Sequence, residues 1–454
     1  MITLHPPQLE VDIGLQVYGT DTSGIGGRIR VKYEDFVVQE VLGSGEVAMI
    51  DSQPAESISG AGGFLLCILV KSGIDTFEAL RTISRMLTVN QNRISAAGLK
   101  DAKALTAQHV TIRQANPRSL SKTASSTIRL SPIRFTDSPI TAKSLLGNNF
   151  RVTIRDIEQS SQELQRSSSE FWSTVSSIGG IPNFYGHQRF GTLRPITHKI
   201  GKHIVKREFK EAVLTYLTAP SAVESEDSRE AKRIIAEEGN AKKSLSLYPK
   251  RLLYERSMLE YLARFGEDYV GALSRNPLGL RRLFVNAYQS FLFNKVLSLR
   301  ITRGLPLNNA LEGDRAVPVD SYGLPIRQDK VLAANTDSIN ETIREGRAAL
   351  ALPVIGYSTG LSGGRQGEIE REVLNEEGVT PRDFYVGPLH EASSSGKYRA
   401  ALARVTRPNS TVQPDEINLG KLSLTLDFFL PKESYATIVL RELMKPKDIT
   451  KAGF

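Results

Sequence analysis

Apolar residues along this chain follow two different periods, and the two are segregated. Alternating or continuous apolar runs, the signal of strands, gather toward both ends. Residues 27–40 read as one strand, and the apolar run at 64–71 reads as a buried one. Asp75 then offers an N-cap for a helix that reaches about residue 87. Phe77, Leu80, Ile83 and Leu87 recur there at helical spacing, which predicts a core-facing stripe. Alternation returns over 108–113 and 127–135, and again at Phe150, Val152 and Ile154. Toward the other end Leu422, Leu424, Leu426 and Phe428 alternate, Pro431 closes that strand, and 435–444 reads as a helix.

The middle differs. Residues 159–178 and 200–302 are mostly helical in pattern, with turn signals between, and 353–367 returns to irregular or strand character. Strands at both ends and helices between them predict an α+β fold, a sheet domain interrupted by an insertion. The expected division is 1–180 for the first part of the sheet domain, 181–390 for the insertion and 391–454 for the second part.

Composition narrows the chemistry. No run approaches the length of a membrane span, and the N-terminus, with Pro6, Pro7, Glu10 and Asp12, lacks the basic and apolar regions of a signal peptide. A cytoplasmic location is the expectation. Cys67 is the only cysteine, so neither an internal disulfide nor a thiolate zinc site is available, and its apolar setting predicts a small buried hydrophobe. His198 and His203 are spaced so that they do not stack on one helix face, and no metal is expected. The glycine-rich segment 361–367 lacks the G-K-[ST] ending of a phosphate loop. A net charge of +9 points to a polyanionic partner, most simply nucleic acid. The charge is uneven: from Arg189 to Lys210 stand Arg189, Arg194, Lys199, Lys202, Lys206, Arg207 and Lys210 against one acid, Glu208.

Between two strand-like segments lies the run Gly98, Lys100, Asp101, Ala104, Thr106 and Gln108. It sets a carboxylate at the lip of a sheet, with small residues around it that leave room for a ligand. A Lys–Asp pair on a loop is by itself most often a solvated ion pair. The spacing, however, resembles the signature G-x-K-D-x-x-A-x-T-x-Q of the TruD family of tRNA pseudouridine synthases, and matches it at all six positions. Further segments resemble the family in the same order: 26–38, Gly147-Asn148-Asn149-Phe150, the P-N-F-Y-G-H-Q-R-F-G of 182–191, 287–294 and 434–442. The resemblance runs from about residue 15 to 445. It implies a pseudouridine synthase fold with a mixed, mainly antiparallel sheet and a family-specific insertion. It also implies a tRNA substrate, isomerisation of a uridine at position 13 of the tRNA, and no cofactor, since the reaction is neither redox nor group import.

The resemblance assigns residues position by position. Asp101 is the catalytic nucleophile or, in a glycal route, the base; a free Asp, with a pKa near 3.9, is ionised at neutral pH. Its bland alternative is a surface pair with Lys100 or Lys103. Arg30 stands where a basic residue holds the Asp in place, and its alternative is a solvated strand face. Phe150 is the ring expected to stack on the flipped base, against the alternative that it is core. Asn148 is a base or loop contact, and Lys100 is grouped with the substrate contacts. Asn183, Gln188 and Arg189 are RNA or hinge contacts, while Gln289 and Ser290 are expected to be structural. Lys199, Lys202 and Lys206 are expected to clamp the RNA backbone, which carries no sequence information. Glu433 replaces a family glycine, and a positive φ there would strain it. The rival readings are a non-catalytic RNA-binding protein on the same fold and a metabolic enzyme with a basic surface.

Overall fold

The computed structural model describes residues 5–53, 58–117, 119–120, 125–191, 194–220, 224–326 and 336–454. The chain divides into two compact units. One is Thr20–Ile181 with Ala403–Phe454, and the other is Met1–Gly19 with Pro182–Leu402.

The first unit is built on a sheet in which eight strands pair among the described residues. These are β1 (Phe36–Leu42), β2 (Phe64–Ser72), β3 (Ile94–Ala96), β4 (Leu105–Arg113), β5 (Ile128–Thr136), β6 (Leu145–Ile157), β7 (Thr406–Pro414) and β8 (Leu422–Pro431). Their order is β7-β8-β6-β1-β4-β2-β5, with β3 paired to β4. Only β1 and β4 run parallel; every other pairing is antiparallel. The pairing of β8 with β6 returns the C-terminal segment to the sheet across the whole insertion.

Register decides which side chains share a face, because strand side chains alternate. Val38 lies opposite Thr106 and Phe150, Phe150 opposite Phe428, and Thr106 opposite Lys71. The even residues of β1, β4, β6 and β8 and the odd residues of β2 therefore face one way. At one end of this face α1 (Thr76–Leu87) packs Ala79, Leu80 and Ile83 against Leu65, Cys67 and Leu69. Each large apolar side chain fully buried there is worth about 1.5–3 kcal/mol. At the other end α2 (Ser161–Ile178) brings Trp172 to 6.2 Å from the Phe428 ring, and its indole N–H donates to Ser410 Oγ at 2.8 Å. A third helix, α3 (Ala436–Met444), is buried throughout.

Four expectations need correction. The first strand begins at Phe36, because residues 27–35 include Arg30 at φ +58° and a 3₁₀ turn at Tyr33–Asp35. Phe77 lies in the first turn of α1 and is 59% exposed, so the core stripe is Ala79, Leu80 and Ile83 with Leu87 at its margin. The irregular or strand character expected over 353–367 holds through residue 363, and only its last four residues are helical, opening the helix Gly364–Glu377. The division also differs. Residues up to Gly19 belong with the insertion, where Asn294 Nδ2 donates to Ile13 O (3.1 Å) and Ser298 Oγ to Gly14 O (2.9 Å). The insertion extends to Leu402 because the strand Lys397–Ala400 pairs with Ala348–Val354.

The second unit is mainly helical around the helix Leu278–Thr302. Gln289 and Ser290 are buried on it, donating to Ile355 O at 2.6 Å and Asn286 O at 2.8 Å. No helix among the described residues is long and apolar enough to cross a membrane.

Candidate active site

The segment from Ala97 to Ala104 lies over the face just described, and four strands and helices anchor it through side chains. Gln108 of β4 donates to Gly98 O (3.0 Å), and Thr76 of α1 accepts from the Lys100 N–H (2.9 Å). Thr76 and Gln108 bond each other at 3.0 Å. Lys71 of β2 donates to the carbonyls of Lys100 and Asp101. Lys100 reaches back to Glu40 of β1, Nζ to Oε1 2.7 Å, with both side chains buried. The His109 main-chain N–H donates to the other Glu40 oxygen at 2.8 Å. Burial alone would raise the Glu40 pKa; contacts with His109 and the Lys100 ammonium hold it below the usual carboxylate range.

This arrangement explains the signature. Gly98 is not in the left-handed region, so a positive φ is not what calls for a glycine here. A Cβ on it would lie 3.1 Å from Lys100 Nζ and 3.4 Å from Glu40 Oε1, so the glycine makes room for the buried pair. Gly147 has a comparable task on β6, where a Cβ would come within 2.2 Å of Leu430 O.

With Lys100 turned inward, Asp101 meets Arg30. Arg30 Nη2 donates to Asp101 Oδ2 at 3.1 Å, and Nη1 donates to Gly453 O at 3.2 Å. The arginine side chain is 6% exposed and the aspartate 37% exposed, so the pair is buried on one side and open on the other. Burial pulls the Arg30 pKa down while the Asp101 charge raises it, and an arginine remains charged in either case. The Arg30 guanidinium lies over the Phe36 ring, 4.5 Å from its centroid. Phe36 meets Phe150 edge-on at 6.3 Å, and Phe150 stacks on Phe428 at 5.4 Å. The row Asp101, Arg30, Phe36, Phe150, Phe428 is thus continuous. Asn148, two residues before Phe150, carries a buried Oδ1 without a hydrogen-bond partner among the described residues. Such an atom in a native fold calls for a partner from elsewhere.

The structure brings Asp101, Arg30, Asn148 and Phe150 to this face and turns Lys100 into its scaffold. The other expected contacts lie in the second unit. Asn183 is buried, with its side chain donating to Ala400 O (3.0 Å) and accepting from Arg399 (2.6 Å). Arg189 donates to Ser290 Oγ at 3.0 Å, and Gln188 is exposed. Lys202 is paired with Glu377 at 2.8 Å, a carboxylate that Lys295 also holds at 2.8 Å. Lys206 stands 3.5 Å from Glu208, and Lys199 is exposed. Sequence reasoning did not find Lys71; its only signal was a lysine closing an apolar run.

A cleft of about 530 Å³ is bordered mainly by residues of the opposite face of the sheet, such as Val37, Gln39, Asn149 and Arg151, and also by Phe150 and Phe428. Neither Asp101 nor Arg30 borders it, so its size does not make it the site of chemistry.

A crystal structure titled "Putative tRNA pseudouridine synthase D (TruD) from Methanosarcina mazei" superposes with a TM-score of 0.81 at 38% identity, covering 97% of this chain and 98% of that one. The fold is therefore that of a pseudouridine synthase of mixed helix and sheet. The model of the family described as tRNA pseudouridine synthase D (TruD) matches residues 12–443, and the chain belongs to that family. A curated relative from Methanosarcina mazei, named "Probable tRNA pseudouridine synthase D", is 38% identical over 97% of this chain and 98% of its own length. One of the same name from Thermococcus sibiricus is 34% identical over 94% and 97%.

Proposed function

We propose that this protein converts uridine 13 of tRNA to pseudouridine, with Asp101 as the reacting carboxylate. The observation that carries the reading is the Arg30–Asp101 pair, buried on the arginine side and open on the aspartate side. A carboxylate held this way is fixed in place and still reachable from solvent.

The reaction is an isomerisation. The bond from the sugar C1′ to N1 of the base breaks, the uracil turns over, C1′ bonds to C5, the C5 proton is lost and N1 gains one. Asp101 acts as nucleophile or, in the glycal route, as the base at the sugar. Arg30 fixes the carboxylate by one charge-assisted hydrogen bond and is itself fixed by Gly453 O. Phe150 offers a ring for the extruded base, and Asn148 Oδ1 an acceptor for a base N–H. Exposed Lys199 is suited to backbone phosphate; Lys202 is engaged with Glu377.

The test is incubation with an unmodified tRNA transcript followed by mapping of pseudouridine. The expected product is a single pseudouridine at position 13, and a transcript with cytidine there should not react. Pseudouridine elsewhere only, or none, would refute the reading; tight binding without any product would favour the non-catalytic RNA-binding alternative.

A further inference from the structure

Lys71 closes β2 and is 1% exposed. Its Nζ donates to three main-chain carbonyls: Ile74 O at 2.7 Å, Asp101 O at 2.8 Å and Lys100 O at 3.2 Å. Two of these belong to the loop that carries Asp101, and the third to the turn entering α1. An ammonium has three protons, and this one uses all of them. A buried cation held by carbonyls alone is a costly way to fill a strand end, since an apolar side chain of the same length would need no desolvation. What the cation gains is its aim. Thr76 and Gln108 hold Lys100 N–H and Gly98 O, and Lys71 holds the carbonyl of Asp101 itself.

We propose that Lys71 is a positioning residue for the reaction: its protonated amine fixes the main chain of Lys100 and Asp101 so that the Asp101 carboxylate meets Arg30, and turnover requires that protonated form. The inference rests on Asp101 being the reacting group. A neutral amine has two protons for three carbonyls, so losing the third releases one of them.

The charged groups around Lys71 are few. Asp75 caps α1, and Asp101 and Lys100 sit in the loop; Lys100 is neutralised by Glu40 and Asp101 by Arg30. Burial pushes the Lys71 pKa down to about 8, against the pull of Asp101 and Asp75 and helped by Lys100. The unfolded chain, with an ordinary lysine value near 10.4, binds this proton more tightly. Between about 8 and that value the contribution of Lys71 to stability therefore rises with pH. A rate that falls in this window is not a loss of fold.

The experiment is the single-turnover rate on unmodified tRNA at saturating enzyme, measured from about pH 6.5 to about 9, on both sides of the Lys71 value of about 8. Wild type, Lys71→Met and Asp101→Asn are compared, with tRNA affinity and circular dichroism followed alongside. Wild type should hold its rate to neutral pH and lose it with a midpoint near 8, its fold and tRNA affinity unchanged. Lys71→Met should be slower at neutral pH by roughly ten- to a hundredfold, bind tRNA equally well, and lack the fall near 8. A wild-type rate that does not fall in this window would overturn the proposal. So would a Lys71→Met variant with wild-type rate and profile. If Lys71→Met does not fold, the wild-type profile decides alone. Asp101→Asn separates the two levels: if it turns over normally, the reading of the site fails and not merely the role of Lys71.

Discussion

Arg30 and Asp101 are 71 residues apart in the chain, and Arg30 Nη2 lies 3.1 Å from Asp101 Oδ2. Arg30 makes this contact from a left-handed backbone, φ +58°, that non-glycine residues seldom adopt. Strain of this kind persists where the surroundings over-determine it. Here the Gly453 carbonyl and the Phe36 ring hold the guanidinium.

Removing that guanidinium should act on the chemistry. A hydrogen bond to a charged group is worth about 1.5–3 kcal/mol, so Arg30→Met should slow single turnover roughly ten- to a hundredfold. Arg30→Lys should recover part of the loss, since lysine supplies the charge without the planar fork. tRNA affinity should stay within about twofold for both, because neither change touches a phosphate contact. A wild-type rate in Arg30→Met would remove Arg30 from the mechanism.

Lys100 should act through Glu40 and not through RNA. Breaking a buried pair leaves an uncompensated charge, at a cost of about 3–5 kcal/mol. Lys100→Met should therefore lower stability in urea titrations by that amount. Adding Glu40→Gln to it should restore most of the loss. A Lys100→Met protein with normal stability and weakened tRNA binding would contradict the placement of this side chain.

How much of this was legible follows the range of the interactions. α1 and its Asp75 cap were readable because the Asp75 carboxylate accepts from Glu78 N–H only three residues on. The strands β4, β5, β6 and β8 were readable from their own alternation, and β2 from its continuous apolar run. The first strand was over-extended because Ile29, Val31 and Tyr33 alternate, while Arg30 turns the backbone out of extended form. β7 was missed because its sequence, TRPNSTVQP, is polar and mostly exposed at the sheet edge. The motif showed Lys100 beside Asp101 but not that its partner, Glu40, is 60 residues away. Lys202 looked like a phosphate clamp for the same reason, since Glu377 is 175 residues away. Glu433 was flagged by its departure from the family glycine, and its φ of +65° shows a left-handed backbone, which costs roughly 1–2 kcal/mol.

Phe150 is 8% exposed and stacked on Phe428, so its packing and its proposed contact with the base must be separated by the choice of substitution. Phe150→Leu nearly conserves volume and should cost less than about 1.5 kcal/mol of stability. It should still lose roughly 1–3 kcal/mol of base stacking, read as a slower single turnover. Phe150→Ala should add a stability loss of about 3–5 kcal/mol. Urea titration and turnover on the same preparations distinguish the two effects. If Phe150→Leu matches wild type in both, the ring is core alone.

In the proposed reaction a single carboxylate, Asp101, reacts at the sugar. Asp101→Asn keeps the size and the loop anchors while removing the charge. The direct measurement is pseudouridine formed at position 13 of an unmodified tRNA transcript by this variant and by wild type, at equal tRNA occupancy. Wild type should form product and Asp101→Asn none. Product at a comparable rate from Asp101→Asn would contradict that role.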